Sequence, residues 1–359
     1  MPTEYLRPCL DAISYTTKYL NSEAVFLTAT MPDFRKLIKE YSLNNCKILN
    51  LVDNTSEFKI FKKCRFKDIG QISCENLVQQ AGNFPSSLIV VNTRRNAKSI
   101  FKLLPYKKYH LSTYMTSKDR EDTINEIQDE LNRLEEDFPY LENVPQDRKI
   151  AVISTSLIEA GVDLDFYKVF REFNGLDHIL QAGGRCNREG KRTGAEVDIF
   201  ELEGERYNKG DRFQITRSII KKYKDISCEE SIYDYYDQLY YMRNDEIQHK
   251  SLHKLCKSFW RICLKQYAQE FNLIPESTIS IIINQDEESE KFINELRNTK
   301  KTNMRELQKY ACTVYKKEFD ELLKQGIVDD YGTGVWCLTN KDYYDNETGI
   351  TVESCDYII

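Results

Sequence analysis

At 359 residues the chain has room for two or three domains of about 150 residues each. Its 41% hydrophobic and 30% charged residues are ordinary for a globular protein with a sizeable core, and its apolar runs are strand length, which excludes a membrane span among them. A formal net charge of −6 excludes a chain that coats nucleic acid by bulk electrostatics, but not one with a basic track in a groove. The eleven cysteines are scattered, odd in number and never spaced Cys-x-x-Cys. The start, Met1-Pro-Thr-Glu-Tyr, has no basic region leading into an apolar stretch. Together these predict a cytoplasmic protein without a disulfide framework, a zinc knuckle or a membrane partner.

In chain order, Ala24-Val-Phe-Leu27 reads as a short apolar strand running into Thr28-Ala-Thr30. Cys46 to Val52 is strand-like, and an irregular stretch follows. Ser87-Leu-Ile-Val-Val91 is a continuous apolar strand feeding a polar loop and a helix from about Arg95 to Leu104. Tyr109-His-Leu111 is the next strand. Ile124, Ile127, Leu131 and Leu134 recur at helical spacing between Arg120 and Leu134, and an acidic surface excursion runs on to Gln146. Ile150 to Ile153, Val169 to Phe173 and Glu196 to Phe200 are three further strands. Apolar strands alternating with helices predict an open parallel α/β sheet covered on both faces. Beyond about residue 210 the alternation gives way to a Tyr-rich helical region from Arg212 to Phe271. Thr302 to Lys324 carries Leu307, Ala311, Val314, Leu322 and Leu323 on a helix-like face, and the tail after Gly326 is acidic.

In such sheets ligands bind at loops leaving the carboxyl ends of strands. Four loops qualify. Gln181-Ala-Gly-Gly-Arg-Cys-Asn-Arg188 reads as a helix with Arg185 and Arg188 on one face, forked cations suited to a phosphate. Its Gly183-Gly184 pair costs about 1 kcal/mol per Gly in a helix, so packing or function must offset it. The plain alternative is a surface helix with two solvated arginines. Thr155-Ser156 through Gly161 to Asp163 follows a strand; its hydroxyls and amides at a helix N-terminus suit a phosphate, Gly161 a turn, and Asp163 a ribose or a water. Simple capping is the alternative there. Asn92-Thr93-Arg94-Arg95 suits a nucleic-acid backbone, or is an exposed turn. Thr28-Ala-Thr30 before Pro32 is a compact polar loop with little chemistry of its own.

In this order the four loops resemble the later motifs of superfamily 2 helicases. Gly184-Arg-Cys-Asn-Arg188, His110-Leu-Ser-Thr113 with Arg120, and Tyr344-Asp-Asn-Glu-Thr-Gly349 are similar to the CRISPR-associated helicase-nuclease family of type I antiviral systems. The resemblance implies that Thr28 and Thr30 couple hydrolysis to strand movement. It also implies DNA contacts at Asn92, Thr93, Arg94, Thr155 and Ser156, nucleotide contacts at Gly161 and Asp163, and catalytic roles for Gln181, Arg185 and Arg188. Tyr114 and Ala182 depart from the family pattern, so no contact is carried over to them.

The fold implied is a RecA-like parallel sheet, the second helicase motor domain with a remnant of the first, followed by a mostly helical C-terminal region. Domains are expected at 1–45 (remnant of the first RecA-like domain), 46–205 (second RecA-like domain), 206–300 (helical accessory region) and 301–359 (C-terminal accessory domain), and the resemblance implies that the acidic tail after Gly326 is a lid over the DNA channel. No Gly-x-x-x-x-Gly-Lys-Ser/Thr occurs. Asp245-Glu-Ile-Gln248 spells an acidic box but sits in a polar helix, and His249 and His253 read as a solvated pair. No metal site is expected. The resemblance therefore implies a chain that starts inside the first motor domain, past its acidic box and without the nuclease part. ATP and Mg²⁺ are expected only if a first RecA-like half is supplied, and neither for the chain alone. Single-stranded DNA, a CRISPR effector complex and a separately encoded first motor half are the expected partners. The alternative is a DNA- or effector-binding module without ATPase activity.

Overall fold

The computed structural model describes residues 5–26, 32–41, 48–49, 63–139, 141, 143–159, 161–205, 210–243, 278–332 and 334–352. Thr28, Thr30, His249, His253, the acidic box at 245–248 and most of the strand expected at 46–52 lie outside them. Two compact units are present, one made of Met1–Lys62, Asn174–Leu180 and Asn208–Pro275, the other of Lys63–Phe173, Gln181–Tyr207 and Glu276–Ile359.

Within the first unit, α1 (Leu6–Tyr19) packs Leu6 and Leu10 on Leu37 and Ile38 of α2 (Phe34–Tyr41).

The second unit is built on six parallel strands, β1 (Arg65–Ile72), β2 (Ser86–Val90), β3 (Lys107–Leu111), β4 (Ile150–Ser154), β5 (Lys168–Glu172) and β6 (Glu196–Leu202). Their spatial order is β1-β6-β5-β2-β4-β3. Every residue of β2, β4 and β5 is buried, as the apolar runs of β2 and β4 require of strands covered on both faces. Because side chains alternate, Leu88 and Val90 face α5 (Ser117–Asp137) through Ile127 and Leu131, with Val152 beside them. Ile89 and Val91 face the other layer, α3 (Cys74–Ala81) and α4 (Arg94–Leu103), through Leu77, Ala97 and Ile100. Chain reversals start cleanly because Ser73, Thr93 and Thr116 each cap the following helix with a side-chain oxygen.

β1 and α3 occupy the stretch expected to be irregular. The reason is physical: β1 is an edge strand, mostly exposed and carrying Arg65, Lys67 and Asp68, and its register breaks before Gly70, where φ is +71°. No apolar alternation marks such a strand.

The remainder of this unit adds a second sheet. β7 (Thr278–Ile282), β8 (Ala311–Tyr315), β9 (Val328–Asp329) and β10 (Cys337–Leu338) lie in the order β8-β7-β10-β9. The stretches on either side of residue 300 share this sheet through the antiparallel β7–β8 pair. The helix-like face expected over 302–324 resolves into a short helix at Met304–Leu307, strand β8 and α9 (Lys316–Lys324). Cys312 and Val314 are buried at a spacing of two, so this apolar pattern belongs to a strand where Ala311 and Val314 suggested a helix.

This sheet, and a C-terminal hairpin pairing Tyr344–Asp345 with Gly349–Ile350, dock on the turn that follows β3. Ile350 N donates to the Tyr114 carbonyl (3.0 Å), Thr313 N to the Thr113 carbonyl (3.0 Å), and Thr116 N to Tyr344 Oη (2.9 Å).

His110 on β3 is buried against the edge of Phe101, its ring centroid 5.9 Å away. Burial, with the Lys98 charge, pushes its pKa down to about 4, opposed by Asp345. The unfolded chain then binds the extra proton between about pH 6.5 and 4. His110 thus contributes stability that is full above about 6.5 and lost as pH falls through about 4, roughly 3 kcal/mol in total. Unfolding titrations of the wild-type chain and of His110→Leu are expected to diverge in slope across that window, the variant being flatter.

Candidate functional site

The three central strands, β5, β2 and β4, are neighbours, so the loops that leave them emerge side by side at the carboxyl edge.

The loop after β4 does not begin an α-helix but a single 3₁₀ turn, Ser156–Glu159. Thr155 is buried and its amide donates to the Leu111 carbonyl (3.2 Å), while Ser156 is exposed. Gly161 holds φ at +77°, which an L side chain adopts only under strain. Asp163 is exposed.

The arginine segment corrects the sequence reading in one respect. Helix α6 (Leu176–Gly183) stops at Gly183, so Arg185 and Arg188 do not share a helix face. The chain turns instead, and Phe166 and Cys186 form a parallel bridge. Asn187 takes φ +53° and donates from Nδ2 to the carbonyls of Lys63 and Arg192, both at 2.8 Å. At Gly183 a Cβ would lie 2.4 Å from the Phe66 ring of β1, so that ring would have to shift to admit a side chain. Gln181 stays exposed on the last turn of α6.

The two arginines diverge in consequence. Arg185 is buried, donating from Nε to the Ile158 carbonyl (3.0 Å) and from Nη2 to the Glu159 carbonyl (3.1 Å). Burial first, and the nearby Arg188 charge second, disfavour its cation, and those two carbonyl oxygens answer part of that cost. Arg188 remains 41% exposed, with its backbone N–H on Asp165 Oδ1 (2.8 Å) and its Nε paired with Asp163. Arg188 and Asp163, from two of the predicted loops, are thus brought together, and Arg185 ties those same loops by their backbones.

The loop after β2 departs further from expectation. Thr93 uses its hydroxyl to cap α4, accepting from Asn96 N (3.1 Å). Arg94 is buried. Its guanidinium lies between the rings of Tyr114 (4.4 Å) and Tyr315 (4.3 Å) and 3.5 Å from Glu318, which also accepts from the Tyr114 hydroxyl. The arginine expected to hold a DNA phosphate instead fastens the second sheet to the first. A planar cation stacked on two rings is not replaced by an ammonium. Arg94→Lys is therefore expected to cost about 1–3 kcal/mol, read as faster hydrogen exchange in β8 and α9.

Two residues that motif reasoning passed over sit beneath these loops. Arg171 and Glu172 end β5 and are fully buried. Arg171 Nη1 donates to Asn92 Oδ1 (2.8 Å), and its Nε pairs with Glu159 (3.1 Å). Glu172 accepts from Asn92 N (2.7 Å), and Asn92 Nδ2 donates to the Phe173 carbonyl (2.9 Å). The signal was a charged pair inside the apolar strand Val169-Phe-Arg-Glu-Phe173, since a buried charge must be paired.

Among the described residues no group of three or more His, Cys, Asp or Glu could hold a metal ion, and no helix is long and apolar enough to cross a membrane.

Residues 84–191, which contain all of these loops, match the family described as CRISPR-associated nuclease/helicase Cas3, C-terminal. This stretch resembles the C-terminal part of the Cas3 nuclease/helicases. A CRISPR-associated nuclease/helicase Cas3 from Haloferax volcanii is 52% identical over 63 residues, 17% of this chain and 7% of that protein. Two solved structures share the fold. One, a CRISPR-associated protein, has a TM-score of 0.60 at 14% identity, covering 98% of this chain and 50% of its own. The other, T. fusca Cas3 with ATP, has a TM-score of 0.53 at 12% identity, covering 82% and 40%. The chain thus spans half or less of each of these three proteins.

Proposed function

We propose that this Cas3-like chain supplies the second half of an ATP-driven DNA motor in CRISPR-linked antiviral defence, offering an arginine finger and DNA-facing loops to a first motor half on the same or another polypeptide. What carries this reading is the placement of Arg188. Its guanidinium is 41% exposed at the carboxyl edge of the sheet, on a turn pinned by Asp165 and Asn187, and is held by exposed Asp163 and by a long bond from Nη1 to the Gly184 carbonyl (3.5 Å). Such a pair can open when a phosphate presents a better partner.

Arg188 is the residue we assign to the growing charge on the transferred phosphoryl group, a contribution of roughly 10³–10⁵ in rate for such fingers generally. Arg185 acts beneath it, holding the 156–159 turn; its two bonded nitrogens are already committed to carbonyls. Gln181, Gly161 and Asp163 complete the nucleotide side. ATP would supply the phosphoryl group, and Mg²⁺ would be held by the first motor half. On the DNA side, Ser156 and the exposed edge of the Thr155 turn are the contacts we favour over Arg94. Single-stranded DNA, and a CRISPR effector complex that delivers it, are the partners this assigns.

The reading is tested by titrating fluorescent single-stranded DNA with the chain over a range of salt. Phosphate contacts predict log K falling linearly with log salt, at about −0.7 per neutralised phosphate. No saturable binding at low salt would remove the DNA assignment.

A further inference from the structure

The deepest charged group of the second unit is Arg171, fully buried in the middle of the parallel sheet. A buried ion pair is a poor source of stability, because apolar side chains of similar volume do as well or better. Its geometry offers a different use. Arg171 lies on β5 beside Val90 of β2, and Val90 lies beside Ser154 of β4, so the side chain is centred on the three strands whose loops form the candidate site. One arm reaches Asn92 in the loop after β2, and the Nε edge reaches Glu159 in the turn after β4. Glu159 in turn offers its carbonyl to Arg185 of the arginine segment. Glu172 closes the other end by accepting the Asn92 amide. The Arg171–Glu159 link is an ion pair without hydrogen-bond geometry, and the others are charge-assisted hydrogen bonds in a dry interior, where such bonds are strong.

We propose that Arg171 is a positioning residue that couples the loop after β2 to the turn after β4 and, through Glu159, to the segment carrying Arg188. Displacing any one of the three loops then strains the other two, because the guanidinium plane is shared. The use of this coupling in a motor rests on the function proposed above; the coupling itself does not.

Hydrogen exchange of the full chain tests it with two variants. Arg171→Lys keeps a charge for Glu159 but loses the fork that also reaches Asn92. Arg171→Met with Glu159→Gln removes both charges, so that neither is left buried alone. In each, amides at 92–93, 157–163 and 185–190 are expected to exchange roughly tenfold faster or more, while β8 and the centre of α5 keep wild-type protection. Acceleration spread evenly over the unit would mean that Arg171 only fills the core, and would overturn the proposal. So would unchanged exchange at the three loops in Arg171→Lys, the variant that retains the charge. Binding of a single-stranded oligonucleotide is measured on the same samples. A wild-type chain that fails to bind while the loops respond together sinks the motor reading and leaves the coupling standing.

Discussion

Gly349→Ala is expected to detach the C-terminal hairpin from the parallel sheet. Gly349 holds φ at +79°, and a Cβ built there would lie 2.3 Å from the carbonyl carbon and oxygen of Tyr114 and 2.6 Å from Met115 N. All three are backbone atoms, so no rotamer change relieves the overlap. The left-handed conformation adds about 1–2 kcal/mol for an L residue, and overpacking of this kind a further 1–3 kcal/mol or so. The bond from Ile350 N to the Tyr114 carbonyl, formed one residue later, is lost with the displacement. The measurement is a two-probe unfolding curve together with hydrogen exchange. Residues 343–352 and the Ser112–Thr116 turn should lose protection, while β2 and β4 stay protected. Wild-type stability in Gly349→Ala would show that the hairpin is not packed as described.

The two arginines of the 181–188 segment are expected to separate sharply. Arg185→Met removes two charge-assisted bonds to buried carbonyls and leaves those carbonyls unanswered, a loss of about 2–6 kcal/mol at roughly 1–3 kcal/mol for each bond. Arg188→Met breaks one ion pair whose Asp163 partner is 80% exposed and one long bond to the Gly184 carbonyl, and should alter stability by less than about 1 kcal/mol. Thermal unfolding of the two variants side by side decides this. Equal losses would mean that Arg188 is as structural as Arg185, and would withdraw its availability to a phosphate.

The parallel sheet was readable because β2 and β4 are close to continuous apolar runs, and burial on both faces demands that pattern. Loop positions followed, since strand ends fix where polar residues can act. Three things were not readable. β1 is an exposed edge strand whose stability comes from pairing with β6 and not from its own side chains. β8 hides a two-residue period in five residues, too short to stand out between two helices. Arg94 looked like a phosphate ligand because sequence cannot reveal that Tyr114, Tyr315 and Glu318, up to 224 positions away, converge on it. The departure from the family pattern at Tyr114 was the one hint, and its meaning depends on a contact made only in the fold. Arg171 was visible as a misfit in its strand but had no motif to attach to.

The most direct test of the central claim mixes the purified chain with a separately produced first motor half carrying the phosphate loop and acidic box, and measures DNA-stimulated ATP hydrolysis. The mixture is expected to hydrolyse ATP, and Arg188→Ala to lower that rate by a factor on the order of 10³ or more with stability nearly unchanged. An active mixture whose rate is indifferent to Arg188→Ala would contradict the account.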